Sequence, residues 1–516
     1  MATIYKIYPS IGIARIGKSD KFFIGPESPS MPVKGPFKEN GKIKKQGARF
    51  RVYEFEVDEF GGEKIVGEVT DSKSVKIEWN VHLCNRKAAS RRIPTEPAKP
   101  RNPGYKQDKL VIEGSEQISG KKKISSPIIG QIQFINKIND RVEGKDDVVL
   151  GRLETDNKGR LIVIGGSGVA KSLLNIPLDN FANNPGWYDD CCDGPVEANI
   201  QIDGCRSVEA QKAWVVVASP AYAPEIKNVI TWYDQAKNID ANTFNPVLNI
   251  DKPSFTNDIY PILKSTVLLQ WVHQDARRGH GSGRGNFIDP QILKDLSNNS
   301  NSTKSQRQHI LSRLMEPNTG ATGPGSRPPG PKSMPFLFSG VDPRDRNLFQ
   351  YASLTKLQYS MMGKWVDGDF SADWKGEPAQ RKFDNIPIEE QPEALTRAAL
   401  EGCIGGPFFP GIETTYIMAL ADTYEAPYRI NQTLPAGYMT ELMALPWQAD
   451  FIDCGALWWP AQRPVSVKTK NGIKDFSRGM PERSRRYAGM VKNWNELGFV
   501  VKVGNSYIET ERGSIP

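Results

Sequence analysis

Cys403 closes an apolar helical run, and a Gly405-Gly406-Pro407 breaker follows at once. Phe408 and Phe409 come next, then Pro410-Gly411. Glycine and proline at that density fix an irregular backbone, and such a loop brings main chain close to a neighbour. A second rigid, aromatic stretch lies further on: Trp447, then Leu457-Trp458-Trp459-Pro460-Ala461-Gln462-Arg463-Pro464. We read the two stretches as meeting, so that a thiol and indole rings form the active site. Each piece alone has a plainer reading. A lone cysteine is usually a small buried hydrophobe, and tryptophans beside proline are usually core or interface. Their combination in this order is the informative signal.

Other stretches offer chemistry that their surroundings argue against. Gly165-Gly166-Ser167-Gly168-Val169-Ala170-Lys171-Ser172 nearly matches a phosphate-binding loop, but Ala170 stands where glycine is needed. Such a loop also needs a helix behind it, and Pro177 and Asn184-Pro185-Gly186 break any helix there. It reads as a glycine turn. Asp179, Asp189, Asp190 and Asp193 lack the ligand spacing of a calcium loop and read as a polar turn before a strand at 196–202. His82-x-Cys84 reads as strand packing, and no metal site is assigned. Arg277-Arg278-Gly279-His280-Gly281-Ser282-Gly283-Arg284-Gly285 could clamp a carboxylate, since arginine binds that group in two-pronged fashion. The plainer reading, an exposed flexible loop, is favoured.

The elements must hold these groups in a chain of 516 residues, long enough for a large core and two or more substructures. Only 38% of residues are apolar, with 46 Gly and 38 Pro, which predicts many loops. The 11 Trp, 16 Tyr and 21 Phe are spread along the length and argue against disorder. A net charge of +8 is small for this length, and the Lys42–Arg51 basic run lacks an aromatic platform, so no nucleic-acid partner is assigned. No apolar run reaches the length of a membrane span, and the N-terminus lacks the apolar centre of a signal peptide. Synthesis and maturation in the cytoplasm are expected, with later export left open. The six cysteines are too sparse for a disulfide scaffold.

The fold class is α+β. A β-rich N-terminal domain over 1–240 is followed by a helical segment and Pro/Gly linker over 241–335. A more helical, loop-rich domain over 336–516 carries the site. Arg49–Val57 and Val75–Leu83 alternate as half-buried strands, and Trp214–Ala218 reads as a buried one. Residues 85–145 are polar, with only short strands expected. Helices are expected at 224–234, 257–276, 289–315 with an interruption, 355–367, up to Cys403, 414–422 and 481–497.

Several stretches carry a family resemblance. They are Tyr8-Pro9-Ser10-Ile11-Gly12-Ile13-Ala14-Arg15-Ile16-Gly17, Val81–Ala89, Asn184–Asp190 and Trp214–Ala218. Leu354-Thr355, Gln358-Tyr359, Trp365, Gly368-Asp369-Phe370 and Trp374 follow, and then Cys403–Glu413, Pro446–Phe451 and Trp458–Pro464. In this order, over nearly the whole chain, they resemble the LodA-like oxidases, the family of lysine ε-oxidase and glycine oxidase.

The resemblance implies a cysteine tryptophylquinone built from the chain itself: Cys403 in thioether linkage to Trp459 or Trp458, with Trp447 a weaker third choice. It implies an amino-acid oxidase. The primary amine of an amino acid attacks a quinone carbonyl, and aldehyde or keto acid, ammonia and hydrogen peroxide are released, with dioxygen as acceptor. Glu413, Asp453 and His280 are the candidates for the base that removes the C–H proton, and Tyr416 is a candidate for orienting the substrate. A separate flavoprotein for maturation is implied as well, and a homo-oligomer is compatible with the sequence. The family pattern places an aspartate four residues before the cysteine, and this chain has Ala399 there. Glu401 is then the nearest carboxylate, with Asp450 and Asp453 near the tryptophans. The rival reading is a cofactor-free scaffold acting as a binding or structural protein. A copper or flavin oxidase is disfavoured by too few clustered histidines and no dinucleotide glycine fingerprint.

Overall fold

The computed structural model describes residues 2–515 apart from 94–98, 205–206, 247–250, 282, 284, 318–319, 322–333, 335–336, 342–348, 352, 406–409, 454–458 and 481–485. Apolar alternation in the first part of the chain builds one large twisted sheet. Its main strands are β1 (Ala2–Tyr8), β2 (Ile11–Arg15), β3 (Lys45–Val57), β4 (Val75–Asn85), β5 (Ile112–Ser119), β6 (Ile124–Ile135), β7 (Val142–Thr155), β8 (Leu161–Gly165), β9 (Cys192–Ile202) and β10 (Ala213–Ala218). Their order is β6-β7-β8-β3-β2-β10-β9-β4-β5, with β1 paired to β3. Pairing along this path is antiparallel except between β2 and β10, which run parallel with Trp214 opposite Ile11 and Ala218 opposite Arg15. The sheet folds back so that β5 packs on β6, where Gly114 meets the Ile129 carbonyl and Gly130 the Glu113 backbone.

Strands β2, β8 and β10 are buried at every position, as interior strands covered on both faces must be. Strands β6 and β7 form a hairpin of 12- and 14-residue arms, far longer than the short strands expected there. Its outer face carries Ser, Lys, Asp and Gln, and that polar half masked the alternation.

The main helices are α1 (Trp232–Ile239), α2 (Tyr260–Leu268), α3 (Gln274–His280), α4 (Lys356–Asp367), α5 (Gln391–Glu401), α6 (Trp447–Asp453) and α7 (Arg486–Asn493), with two short ones at Pro290–Leu296 and Lys304–Leu311 in the interrupted 289–315 stretch. Helix α4 has the capping box written in Thr355 and Gln358. The run expected to be one helix over 257–276 is instead divided, because His273 caps α3 and 269–271 tightens into a 3-10 turn. Residues 224–231 are not helical; α1 starts at Trp232, where Thr231 and Asp234 cap each other. The helix expected at 414–422 is also absent. Thr414 donates to the Met439 carbonyl at 2.6 Å and Thr415 caps a 3-10 turn at Tyr416–Ala419, so side-chain bonds replace helical ones.

One contiguous buried cluster draws on every part of the chain, from Trp79 through Ile262 and Trp365 to Trp459 and Phe499. Buried aspartates fasten the C-terminal third to the sheet. Asp189 accepts from Lys87 and, at 3.0 Å, from the Trp447 backbone N–H. Asp193 accepts from Trp214 Nε1 at 3.0 Å and from the Thr440 hydroxyl at 2.6 Å. Asp190 accepts from Gly168 and Val169 N–H at 2.7 and 3.1 Å, which holds the glycine turn with no helix behind it. Among the described residues no helix is long and apolar enough to cross a membrane.

Candidate active site

Helix α5 packs on β2 and ends at Gly402. Cys403 follows with 2% of its surface exposed, and its Sγ lies 3.5 Å from the Ala399 carbonyl. The chain then docks against the segment leading into α1. Trp232 N–H donates to the Cys403 carbonyl at 3.2 Å, and Gly405 N–H donates to the Ile230 carbonyl at 2.9 Å. The contact is so close that a Cβ on Gly405 would stand 1.9 Å from the Thr231 oxygen. Both partners are backbone, so neither can turn aside. Gly405→Ala is expected to destabilise the protein by about 1–3 kcal/mol and to displace Cys403; denaturant unfolding measures the first and cross-link yield the second.

The sheet delivers the next group. Arg15 ends β2, 6% exposed, and points at the Cys403 turn. Its Nη1 donates to the Ser219 carbonyl at 3.0 Å, and its Nη2 lies 3.3 Å from the Gly402 carbonyl and 3.8 Å from Cys403 Sγ. Both nitrogens reach Glu413 Oε1 at 3.1 Å. Gln462 Nε2 also donates to Glu413 Oε1, and to the Gly402 carbonyl at 3.2 Å. The Gln462 N–H in turn bonds the Trp459 carbonyl at 2.8 Å. Gln462 therefore links the two turns, its side chain on the cysteine turn and its backbone N–H on the tryptophan turn. Trp459 is 1% exposed, and its ring lies edge-to-face with Phe451 at 5.8 Å. Phe451 continues to Trp447 at 4.9 Å.

Glu413 is wholly buried, and its Oε2 has no hydrogen-bond partner among the described residues. Burial pushes its carboxyl above the ordinary 4.5; Arg15 and Gln462 oppose this without cancelling it. Burial also pushes the Cys403 thiol well up, the Glu413 charge adds to the rise, and Arg15 opposes it. The thiol is therefore protonated at neutral pH, with a buried carboxyl as its ionisable neighbour. These are features that a cross-link between Cys403 and Trp459 would need. Both side chains are buried, both turns are tied through Gln462, and a carboxylate oxygen is left over for proton transfer.

Glu401, Tyr416 and His280 are bonded to groups outside this cluster. Glu401 accepts from Arg397 Nε, Lys227 Nζ and, at 3.0 Å, the Ser30 N–H. Burial alone would raise its carboxyl; Lys227 and Arg397 outweigh that and hold it at about 2. This stability is present above the ordinary 4.5 and is lost as pH falls toward about 2. The shift corresponds to roughly 3 kcal/mol. Glu401→Gln is expected to lose about that much at neutral pH and to flatten the acid limb of a stability–pH profile.

Tyr416 accepts from Arg91 at 3.2 Å. His280 ends α3, with Nδ1 2.8 Å from the Gly285 carbonyl and its ring against Phe287. Its neighbour Arg277 donates to Ser466 Oγ at 3.1 Å. Asp453 ends α6. Trp458 lies outside the described residues. Among the described residues no group of three or more His, Cys, Asp or Glu is placed to hold a metal ion.

Arg15 and Gln462 escaped the sequence reading as site residues. Both lie inside the motif stretches quoted above, but no spacing along the chain brings position 15 to position 403. The packing of α5 on β2 does.

A family model described as L-lysine epsilon oxidase N-terminal matches residues 8–217, and one described as L-lysine epsilon oxidase C-terminal domain matches residues 338–471. The L-lysine 6-oxidase of Marinomonas mediterranea is 26% identical over 87% of this chain and 70% of its own length. A crystal structure of the L-Lys epsilon-oxidase of the same organism superposes at a TM-score of 0.76, with 22% identity over 98% of this chain and 94% of that one. A structure of its Schiff base intermediate with L-Lys superposes at 0.75, covering 98% and 95%.

Proposed function

The chain belongs to the L-lysine epsilon oxidase, or LodA-like, family, and from that premise we propose that it is an amino-acid oxidase whose cofactor is a cysteine tryptophylquinone made from Cys403 and Trp459, with Trp458 as the alternative ring. The observation that carries the reading is the Arg15–Glu413–Gln462 cluster. It joins the two turns that must present sulfur and indole to each other, and it leaves a buried carboxylate oxygen beside the thiol. Once formed, the quinone supplies a carbonyl electrophile for the primary amine of an amino acid.

The chain's own residues do the rest. Arg15 and Gln462 hold Glu413 through Oε1 and the Ile404 backbone N–H also faces its carboxyl; Oε2, with no hydrogen bond among the described residues, is the atom that takes a proton. A carboxyl raised by burial is a stronger base than an exposed one, and once protonated it can return the proton. During maturation the same oxygen receives the thiol proton, a role supported by the electrostatic influence of Glu413 on Cys403. In this reading Glu413 takes the part of the carboxylate missing at Ala399. The products are an aldehyde or keto acid, ammonia and hydrogen peroxide, with dioxygen as acceptor. Maturation involves a separate flavoprotein in the cytoplasm, as the family resemblance implies.

Ala399 is the observation that favours the rival, a cofactor-free scaffold. Redox staining of a denaturing gel separates the two, because only a covalent quinone stains. Peroxide release across a panel of amino acids then tests the activity. A stained band and release with at least one amino acid are expected; an unstained band from protein matured with its flavoprotein would overturn the reading.

A further inference from the structure

The Arg15–Glu413–Gln462 cluster has a fourth member. Ser219 follows directly on β10, whose last residue, Ala218, lies opposite Arg15. The Ser219 carbonyl accepts from Arg15 Nη1 at 3.0 Å, and the same nitrogen donates to Glu413 Oε1 at 3.1 Å. Further along, the Tyr222 N–H donates to the Gln462 carbonyl at 2.7 Å. The 219–222 segment is thereby fastened to both residues that hold Glu413.

The hydrogen bonds of this cluster do not close. Ser219 is wholly buried, and its Oγ has no partner among the described residues. The same is true of Glu413 Oε2. The neighbouring donors are spent. The hydrogens of Arg15 Nη1 go to the Ser219 carbonyl and Glu413 Oε1, and those of Nη2 to Glu413 Oε1 and the Gly402 carbonyl. Gln462 Nε2 gives its two to Glu413 Oε1 and the Gly402 carbonyl. The Ile404 N–H faces the carboxyl without closing a bond to Oε2. What remains is a hydroxyl able to donate and a carboxylate oxygen able to accept, and the two are not bonded to each other. Buried polar atoms left in this way are commonly met by an ordered water, which can bridge groups too far apart for a direct bond.

We propose that Ser219 is a positioning residue for Glu413: its hydroxyl and Glu413 Oε2 share one buried water, which completes the hydrogen bonding of the carboxylate. The proposal rests on the reading of Glu413 as the acid–base group of an oxidase. Held through Oε1 alone, the carboxylate can swing about that anchor. A bond on Oε2 gives the proton-accepting atom one position.

A high-resolution crystal structure of the mature protein should show a water within hydrogen-bond distance of both Ser219 Oγ and Glu413 Oε2, and Ser219→Ala should lack it. The ionisable groups facing Glu413 are Arg15 and, before cross-linking, Cys403, and the variant alters neither. A hydrogen bond to an ionised carboxylate favours that form. Its loss should move the acid limb of the pH–rate profile, measured as anaerobic reduction by the amino acid, upward by about one unit. The rate on that limb should then fall about tenfold. Ser219→Thr, which keeps the hydroxyl, should restore the water and the limb. A structure with no water between the two atoms, or a Ser219→Ala protein with the wild-type limb, refutes the positioning role alone. A wild-type profile with no acid limb removes Glu413 as the base, and protein that no amino acid reduces refutes the oxidase reading; in either case the role of Ser219 falls with it.

Discussion

Cys403→Ser is expected to give folded protein with no thioether, no visible absorbance and no peroxide release with any amino acid. The loss is complete because the sulfur is a bonded part of the proposed cofactor, and a hydroxyl does not replace it. Folding should survive. The Ala399 carbonyl, now 3.5 Å from Sγ, can accept the serine hydroxyl, so no buried donor is left unmet. The cost should be about 1 kcal/mol, the scale of a buried polar atom with an imperfect partner. Thermal unfolding, a visible spectrum and a peroxide assay on one preparation read all three outcomes. Colour and activity in a Cys403→Ser protein would remove the cysteine from the chemistry.

Glu413→Gln should lower turnover by about 10²–10⁴, the range for loss of a positioned acid–base group. The amide keeps the shape and can still accept from Arg15, but it cannot take a proton at physiological pH. It also leaves the Arg15 charge without its counter-ion in a buried site, which should destabilise the fold by roughly 3–5 kcal/mol. Activity must therefore be scored per cross-linked molecule. If the cross-link forms and turnover falls, Glu413 acts in catalysis. If the cross-link itself fails, it acts in maturation. Full turnover with a full cross-link would remove Glu413 from both roles.

The turn that carries Cys403 could be read in the sequence because its elements are local: a helix, then glycine and proline at a density that permits little else. Strands with clean alternation, such as Val75–Asn85, and the capped helix Lys356–Asp367 were legible for the same reason. The failures are tertiary. Thr414 and Thr415 lie in a run with helical spacing, yet bonds to Met439 and Ile417 hold it open. The long 124–155 hairpin hides its buried half behind a charged one. At the site, Glu401 is near Cys403 in sequence but bound to Lys227 and Arg397, whereas Glu413 is further along and lies beside Cys403 and Arg15. Helix ends turn neighbours in sequence to different faces, so distance along the chain is a poor guide there.

The most direct test of the account is a peptide mass spectrum of protein matured with its flavoprotein. The account predicts a Cys403 peptide covalently joined to the Trp459 peptide, with the quinone oxygens on the indole; fragmentation reads whether Trp459 or Trp458 carries the sulfur. Separate, unmodified Cys403 and tryptophan peptides from such a preparation would contradict it.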